Sequence, residues 1–489
     1  MAVEWLVALV RRPAKLAVSR QTTWITEPLA ADGLPDFLRA VFDRGPAAIP
    51  VEHNAAAAVW SVLPVARSTE IVDVSPARLT ATAADPTGIQ FDSSLRRPDG
   101  IDAAEGRRIL TEAAFAPWQA ADHPWLARWL DDNAAALAVL SAGARREGWC
   151  PPRCLPANRS PSQRYGGDPL VMAMSIPVEG GLENIGTAFL TRAMLRLGSG
   201  DPTGAWHDLE TLLHYGAMIV DTPSPSMARL AAQNLLVRTS RAVRTLAFVG
   251  GLDDAALAAV QDSLRAARER LPLAPCIDVF ERLMILDALT QGFADATQPG
   301  TALAKAGPAA QLFSIDVNRL LVAANQDVDD LVSAVSQPTR AERFRAWRVL
   351  ETRLEARKEG HSTSLPGARS IHESFTDNVI AGIFGSVLPD LEPVLESEDR
   401  AEAALLLVDC TVAIERYRLR AGYPPVRLDD LVPELLPTMP VDPSTDLPLG
   451  YLVEEGRWTL WSGAVPDSDD IDDLVVRGSF TGDGPPPPP

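Results

Sequence analysis

Apolar residues recur at helical spacing over most of residues 101–420. Phe189, Ala193 and Leu197 are four residues apart, so they lie on one face of a helix. Residues 198–202 (Gly-Ser-Gly-Asp-Pro) interrupt this pattern: glycine ends a helix, aspartate caps the next one, and proline fits its first turn. A second apolar face follows in residues 205–216. The pattern predicts an antiparallel helical hairpin.

A second helix start of the same kind follows at residues 251–253 (Gly-Leu-Asp). Asp253 can cap a helix in which Leu257, Val260 and Leu264 share one side. Stacked hairpins are the simplest architecture for such a chain. The first hairpin resembles a tetratricopeptide-like unit, although no steady repeat period runs through the sequence.

The amino-terminal part has a different pattern. Residues 1–62 look helical, and Asn54 is placed to cap the Ala-rich stretch that follows it. Residues 63–100 scatter apolar residues among Thr, Ser, Pro and Asp, which is compatible with one or two short strands or with an irregular excursion.

The carboxy-terminal part combines helix and strand patterns. A helix from about residue 400 to Arg420 is followed by a short helical turn at 428–433 and by strands around 449–453 and 457–461. An acidic turn at 467–473 closes the unit. The predicted fold is therefore mostly α, a helical-hairpin array followed by a small α+β module. Its predicted parts are 1–100 (helical with a short-strand or irregular excursion), 101–398 (helical body), 399–480 (module) and 481–489 (a disordered proline tail).

This carboxy-terminal order of motifs resembles the carboxy-terminal region of the major pseudopilins of type II secretion systems. The matching segments are Ile414-Glu-Arg-Tyr-Arg, Gly422-Tyr-Pro, Leu431-Val-Pro-Glu-Leu-Leu-Pro, Met439-Pro-Val-Asp-Pro, Pro448-Leu-Gly-Tyr, Trp458-Thr-Leu-Trp-Ser and Pro466-Asp. The resemblance covers roughly residues 405–476. It implies a helix, a small sheet and a calcium-binding loop, with these residues near the loop: Ser462, Asp467, Asp469, Asp470 and Asp472.

The chain departs from the pseudopilin pattern in three places. We expect it to lack the leader and hydrophobic helix with which pseudopilins begin, and its stretch from Ser462 to Asp467 is one residue longer. Asp446 replaces the usual turn glycine, which aspartate can do in the left-handed region. The wider chain resembles bacterial helical proteins that carry such a module, through Glu52-His-Asn-Ala-Ala, Trp129-Leu-Asp-Asp-Asn and the first hairpin; that resemblance implies no activity.

Charge narrows the classes of partner. The net charge is −19, which argues against nucleic acid because phosphate binding needs clustered Lys and Arg. Residues 421–489 hold 13 acidic and 3 basic residues. Five of the acids fall within 467–473, where clustered carboxylates suit calcium but also suit a solvated surface. The four cysteines form no disulfide framework and fit a reducing compartment.

One further pattern carries metal-ligand chemistry. His207, Glu210 and His214 lie on one helical face, where a di-metal site would need a matching helix; a polar stripe is the simpler interpretation. The sequence contains no P-loop, dinucleotide fingerprint or nucleophile elbow.

These observations favour a non-enzymatic interaction or scaffold protein with protein partners and a calcium-binding candidate in its module. Two alternatives stay open: a hydrolase-like enzyme that gathers His207, Glu210, His214 or the 164–168 loop, and an accessory of a secretion or pilus-like assembly. We expect a cytoplasmic location, because no secretory signal or membrane span stands out. Peripheral membrane contact is left open by the basic residues beside the apolar run 5–10.

Overall fold

The structure is a computed structural model. It describes residues 15–44, 49–64, 71–74, 88–158, 170–173, 177–222, 224–269, 273–293, 316–363, 392–454, 456–463 and 475–479. The predicted fold class is confirmed, because the chain is mostly helical and carries a small antiparallel sheet of three strands near its carboxyl end.

The amino-terminal elements are short. They are α1 (Phe37–Arg44), α2 (Ala55–Val62), β1 (Ile71–Asp73), α3 (Ala103–Ala113), α4 (Pro124–Asp132), α5 (Ala134–Gly143) and β2 (Cys154–Pro156). Asn54 caps α2 as predicted, by accepting a hydrogen bond from the Ala56 backbone N–H. Its side chain also donates to the Cys150 carbonyl and accepts from the Cys150 N–H. Asn54 therefore positions α2 against the strand region, where β1 pairs with β2.

The prediction of helix throughout residues 1–62 is too broad. Residues 15–36 contain turns and extended chain, while residues 1–14 lie outside the described part. Ser19 and Thr23 explain the difference, because the Ser19 N–H and carbonyl both bond to the Thr23 hydroxyl. Such side-chain bonds satisfy the backbone in a turn and compete with helix formation.

Two long antiparallel hairpins that share one helix form the centre of the body. After the single turn α6 (Leu170–Ala173), the first consists of α7 (Pro177–Gly198) and α8 (Pro202–Asp221), and the second of α8 and α9 (Ser226–Val249). The next helix, α10 (Asp254–Arg268), also packs against α8. Asp201 and Asp253 cap α8 and α10 as predicted, each accepting a bond from the backbone of its first helical turn. The predicted apolar faces are confirmed, since Phe189, Ala193 and Leu257 are all buried.

A second helical group packs around its own core. It consists of α11 (Ala274–Cys276), a π-helical turn (Ile277–Glu281), α12 (Arg282–Phe293), α13 (Val317–Val335) and α14 (Arg340–Thr363). Helix α1 joins this core through Phe37 and Val41, whereas α2 belongs to the core of the hairpins. The amino-terminal residues therefore contribute to both cores.

One helix near the carboxyl end contacts every core. This is α15 (Glu392–Ala421), which extends further towards the amino terminus than the sequence indicated. Val394 enters the core around α12–α14, Leu405 enters the hairpin core, and Ala401 forms a small cluster with Val237 of α9. Ile414 lies in the core of the module. Helix α15 therefore belongs to the body as much as to the module.

The module places a small sheet over the last turns of α15. A 3₁₀ turn (Leu428–Leu431) precedes β3 (Gly450–Glu454), β4 (Arg457–Trp461) and β5 (Val475–Ser479), in sheet order β3-β4-β5. The turn and the first two strands were predicted, while β5 was not. Trp458 and Leu460 face α15, so the sheet buries one face against it.

Buried polar bonds fix the module to α10. The Asp409 carboxylate on α15 accepts hydrogen bonds from Gln261 Nε2 at 2.6 Å and from Arg265 Nε at 3.0 Å. Arg265 Nη2 also donates to the Leu435 carbonyl in the module at 2.7 Å. Closer to the start of α10, Asp254 binds Arg416 of α15, and this hydrogen bond holds the pKa of Asp254 below its ordinary value. Helix α15, helix α10 of the body and the loop of the module at Leu435 thus meet at one interface.

Two more contacts tie the sheet end of the module to the body. Asp446 adopts the left-handed conformation that was predicted, with φ of 58°. Its carboxylate accepts from the backbone N–H groups of Arg340 at 3.2 Å and Ala341 at 3.0 Å, so it satisfies orphan donors at the start of α14. Phe248 at the end of α9 packs on Trp458, with ring centroids 5.6 Å apart.

The amino-terminal half of α15 carries buried carboxyl groups. Glu398 has a side chain that is 15% exposed and lies 3.9 Å from Arg229 of α9, without a hydrogen bond between them. Burial raises the pKa of Glu398 to about 7; Arg229 and Arg343 oppose that rise, and the neighbouring acids Asp399 and Glu402 add to it. Between its ordinary pKa of 4.5 and about 7, the folded protein holds a proton that the unfolded chain has released. Stability must therefore fall as pH rises through that window.

Candidate functional site

Ser462 is the one predicted metal ligand in the described part of the chain, and it lies at the end of β4. Its side chain is buried, and its hydroxyl donates a hydrogen bond to Asp442 Oδ1 at 2.8 Å. The same carboxylate accepts bonds from the backbone N–H of Gly463 and of Ser444, the latter at 2.8 Å, and from the Thr445 hydroxyl at 3.1 Å. Asp442 therefore holds the end of β4 against the loop that precedes β3.

The segment that contains the acidic turn is closed at both ends. Trp461, before the segment, pairs with Val475, after it, in the antiparallel register of β4 and β5. Arg244 of α9 donates to the Val475 carbonyl at 3.1 Å, so the far end is also attached to the body. Opposed residues in such a pair have Cα atoms about 5 Å apart. The segment between them is consequently the connection of a β-hairpin.

The other four predicted ligands, Asp467, Asp469, Asp470 and Asp472, lie outside the described residues. Their carboxylates and the Ser462 hydroxyl all offer oxygen, the donor atom that Ca²⁺ prefers. The Ser462 hydroxyl uses its hydrogen on Asp442 and keeps oxygen lone pairs. The donor set is therefore of the right kind for a hard cation.

The described part of the module exposes several large apolar side chains. Of the ten large apolar residues that are exposed in the described chain, five lie between residues 419 and 452: Leu419, Val426, Val441, Leu447 and Leu452. Val441 and Leu447 flank a single turn, in which the Asp442 N–H donates to the Leu447 carbonyl at 2.7 Å. They are 54% and 63% exposed. Exposed apolar groups that lie together commonly mark interaction surfaces.

The polar stripe His207–Glu210–His214 lies on α8, and all three side chains are partly exposed. Nη2 of Arg145 lies 3.1 Å from Nε2 of His207, so this ring is engaged by a cation. His207 and His214 are about 10 Å apart along the helix axis at 1.5 Å per residue. Within the described residues, no group of three or more His, Cys, Asp and Glu side chains is placed to hold a metal ion.

A groove runs beside this stripe, between the end of α5, α8 and α10. Its volume is about 400 Å³. The polar residues of its lining are Arg145, Arg146 and Glu147 after α5, His214 on α8 and Ser263 on α10. The apolar residues of its lining are mostly small: Ala144, Leu213, Ala217, Met218, Ala266 and Ala267.

Sequence reasoning identified His214 but missed Arg145 and Arg146. The Arg-Arg-Glu run directly after an Ala-rich helix was the available signal. Nothing in local spacing indicates that this run meets α8, because Arg145 and His207 are 62 positions apart. The 164–168 loop, which was considered with this stripe, lies outside the described residues.

Among the helices that the structure describes, none combines the length and apolar character that a bilayer crossing needs. No protein-family model, no curated protein and no solved structure matches this chain.

Proposed function

We propose that this chain is a non-enzymatic docking protein that binds a protein partner through the outer surface of its carboxy-terminal module. The observation that carries the proposal is the concentration of exposed apolar residues between 419 and 452, with Val441 and Leu447 together at one turn. Burying such side chains against a partner releases the water around them and favours association.

The attachment of the module to the body supports the same proposal. Asp409, Asp446 and Val475 each bond to a different body helix, so the docking surface has a fixed orientation. A rigid surface loses little conformational entropy on binding, which leaves more of the contact energy for affinity.

A cation site in the acidic turn is the second part of the proposal. Five aspartates in residues 467–473 repel one another, and a bound Ca²⁺ relieves that repulsion. The resemblance to the major pseudopilin module and the closure of this segment by Trp461 and Val475 support it. The bound ion would neutralise part of the acidic charge of the module. Ser462, Asp467, Asp469, Asp470 and Asp472 are the residues that would hold it.

The docking proposal is tested by pull-down from the host, comparing the native chain with Leu447→Asp. We expect the aspartate to abolish recovery of the partner, because a charge replaces an apolar contact. Met227→Asp is the matched control, since Met227 is also apolar and is 74% exposed but lies on α9. A native chain that is recovered alone, or equal loss with both variants, refutes docking through the module.

The cation proposal is tested by thermal unfolding of the full chain in calcium and then in EDTA. Binding to the folded state must raise the midpoint by mass action. We expect a rise with calcium that the double variant Asp467→Ala/Asp470→Ala loses and that Asp429→Ala, which changes an exposed surface ion pair, retains. An unchanged midpoint in calcium refutes the cation site and leaves the docking proposal standing.

A further inference from the structure

We propose that the groove between α5, α8 and α10 binds a small apolar molecule that carries one carboxylate, with Arg145 and Arg146 receiving the charge. Its volume of about 400 Å³ lies within the range of small-molecule sites, roughly 300–1,000 Å³. Its lining combines apolar residues with a few polar groups, as such sites do. This inference does not depend on the docking surface of the module.

The two arginines give the groove its preference for an anion. Arg146 is held in place because its Nη1 donates to the carbonyl oxygens of Val51 at 3.0 Å and Asn54 at 2.9 Å. Arg145 lies against the His207 ring. Among the described residues, no carboxylate is within ion-pair distance of either guanidinium, whereas Glu147 pairs with His53 at 3.3 Å. Within the described residues, the two arginines of the groove lining thus have no carboxylate partner, on a chain of net charge −19.

The apolar lining of the groove explains why the ligand should be apolar beyond its carboxylate. Ala217 and Met218 of α8 and Ala266 and Ala267 of α10 all contribute to this lining. Alanines on both helices leave the space that larger side chains would fill. An aliphatic chain placed there removes apolar surface from water, which favours binding, while its carboxylate reaches the guanidinium groups. A guanidinium binds a carboxylate through charge-assisted, often paired hydrogen bonds.

The test is isothermal titration of the full chain with sodium decanoate, below the concentration at which it forms micelles. Decanol, which has the same chain without the charge, is titrated alongside it. We expect decanoate to bind about 10- to 100-fold more tightly than decanol, because a hydrogen bond to a charged group accounts for a factor of that size. Arg145→Gln should remove most of this preference and leave decanol binding unchanged.

A second variant locates the site. Ala266 is exposed and lines the groove, so Ala266→Trp should fill it and weaken decanoate binding at least 10-fold without disturbing a core. Ala259→Trp is the matched control, because Ala259 is exposed on the same face of α10 two turns away. Equal affinity for decanoate and decanol, absence of decanoate binding, or binding that survives Ala266→Trp overturns the proposal.

Discussion

Replacing Asp409 with alanine removes the carboxylate at which α15 meets α10. The side chain is 5% exposed, and it accepts bonds from Gln261 at 2.6 Å and from Arg265 at 3.0 Å. The buried Gln261 bond to a charged group should contribute about 1.5–3 kcal/mol. Arg265 is 30% exposed, so water can replace the lost carboxylate, and we expect its bond to Asp409 to contribute about 1 kcal/mol to the free energy of unfolding. We expect Asp409→Ala to lower the free energy of unfolding by about 3 kcal/mol.

The measurement is guanidinium denaturation of the full chain, followed both by tryptophan fluorescence and by far-ultraviolet circular dichroism. Because α15 contributes to every core, we expect one transition that shifts as a whole and coincides for the two probes. A double-mutant cycle with Arg265→Ala should show a coupling energy of about 1 kcal/mol, since each variant removes the same contact. Asp429→Ala is the control; its side chain is 57% exposed, and the expected change is within about 0.5 kcal/mol.

Two results would refute this reasoning. If Asp409→Ala changed the free energy of unfolding as little as Asp429→Ala does, the buried hydrogen bonds would make no net contribution to stability. A transition that divides in two, with the module unfolding first, would mean that body and module are separate cooperative units joined by α15.

Three further substitutions test other contacts. Asp446→Asn should be nearly neutral, whereas Asp446→Ala should cost about 2 kcal/mol by losing the cap of α14 and straining the left-handed backbone; thermal unfolding measures both. Glu398→Gln should remove the loss of stability that ionisation of Glu398 causes between about pH 4.5 and 7. At pH 8 the variant should therefore be more stable than the native chain by up to about 3 kcal/mol, which denaturation midpoints measured across pH will check. Gly450→Ala should destabilise the chain by about 1–3 kcal/mol, because the new methyl group overlaps the Trp461 indole; thermal unfolding checks it.

Each of these expectations has an opposite outcome. Equal stability of the alanine and asparagine variants at Asp446 would contradict the capping role. A pH profile of Glu398→Gln that parallels the native one would assign the titration to another group. A neutral Gly450→Ala would mean that the Trp461 ring moves aside at no cost.

Local sequence signals were sufficient for the helical hairpin and its neighbour. Asp201 and Asp253 cap the helices that follow them because a cap depends only on the next few residues. The left-handed Asp446 was predictable for the same reason. Its use as an acceptor for the first turn of α14 was not, because its partners precede it by about a hundred residues.

Long-range pairing also explains what was missed in the module and the groove. Val475 and Val476 belong to strand β5 because they pair with β4, which precedes the acidic turn in the chain. A run of five residues taken alone is only a weak sequence signal for a strand. Likewise, Arg145 lines a groove only because α5 packs beside α8. Sequence periodicity specifies elements and their buried faces, whereas these partners depend on tertiary packing.

The position of α15 in the chain has a consequence for biosynthesis. A ribosome has made about four fifths of the 489 residues before Glu392, the first residue of α15, is added. Until then, α9 lacks the helix that covers Val237, and Gln261 of α10 lacks its partner Asp409. Apolar surface on α9 therefore stays uncovered while residues 250–391 are made, and such surface is what chaperones bind. Products truncated before α15 should be degraded rather than accumulate as a smaller folded protein.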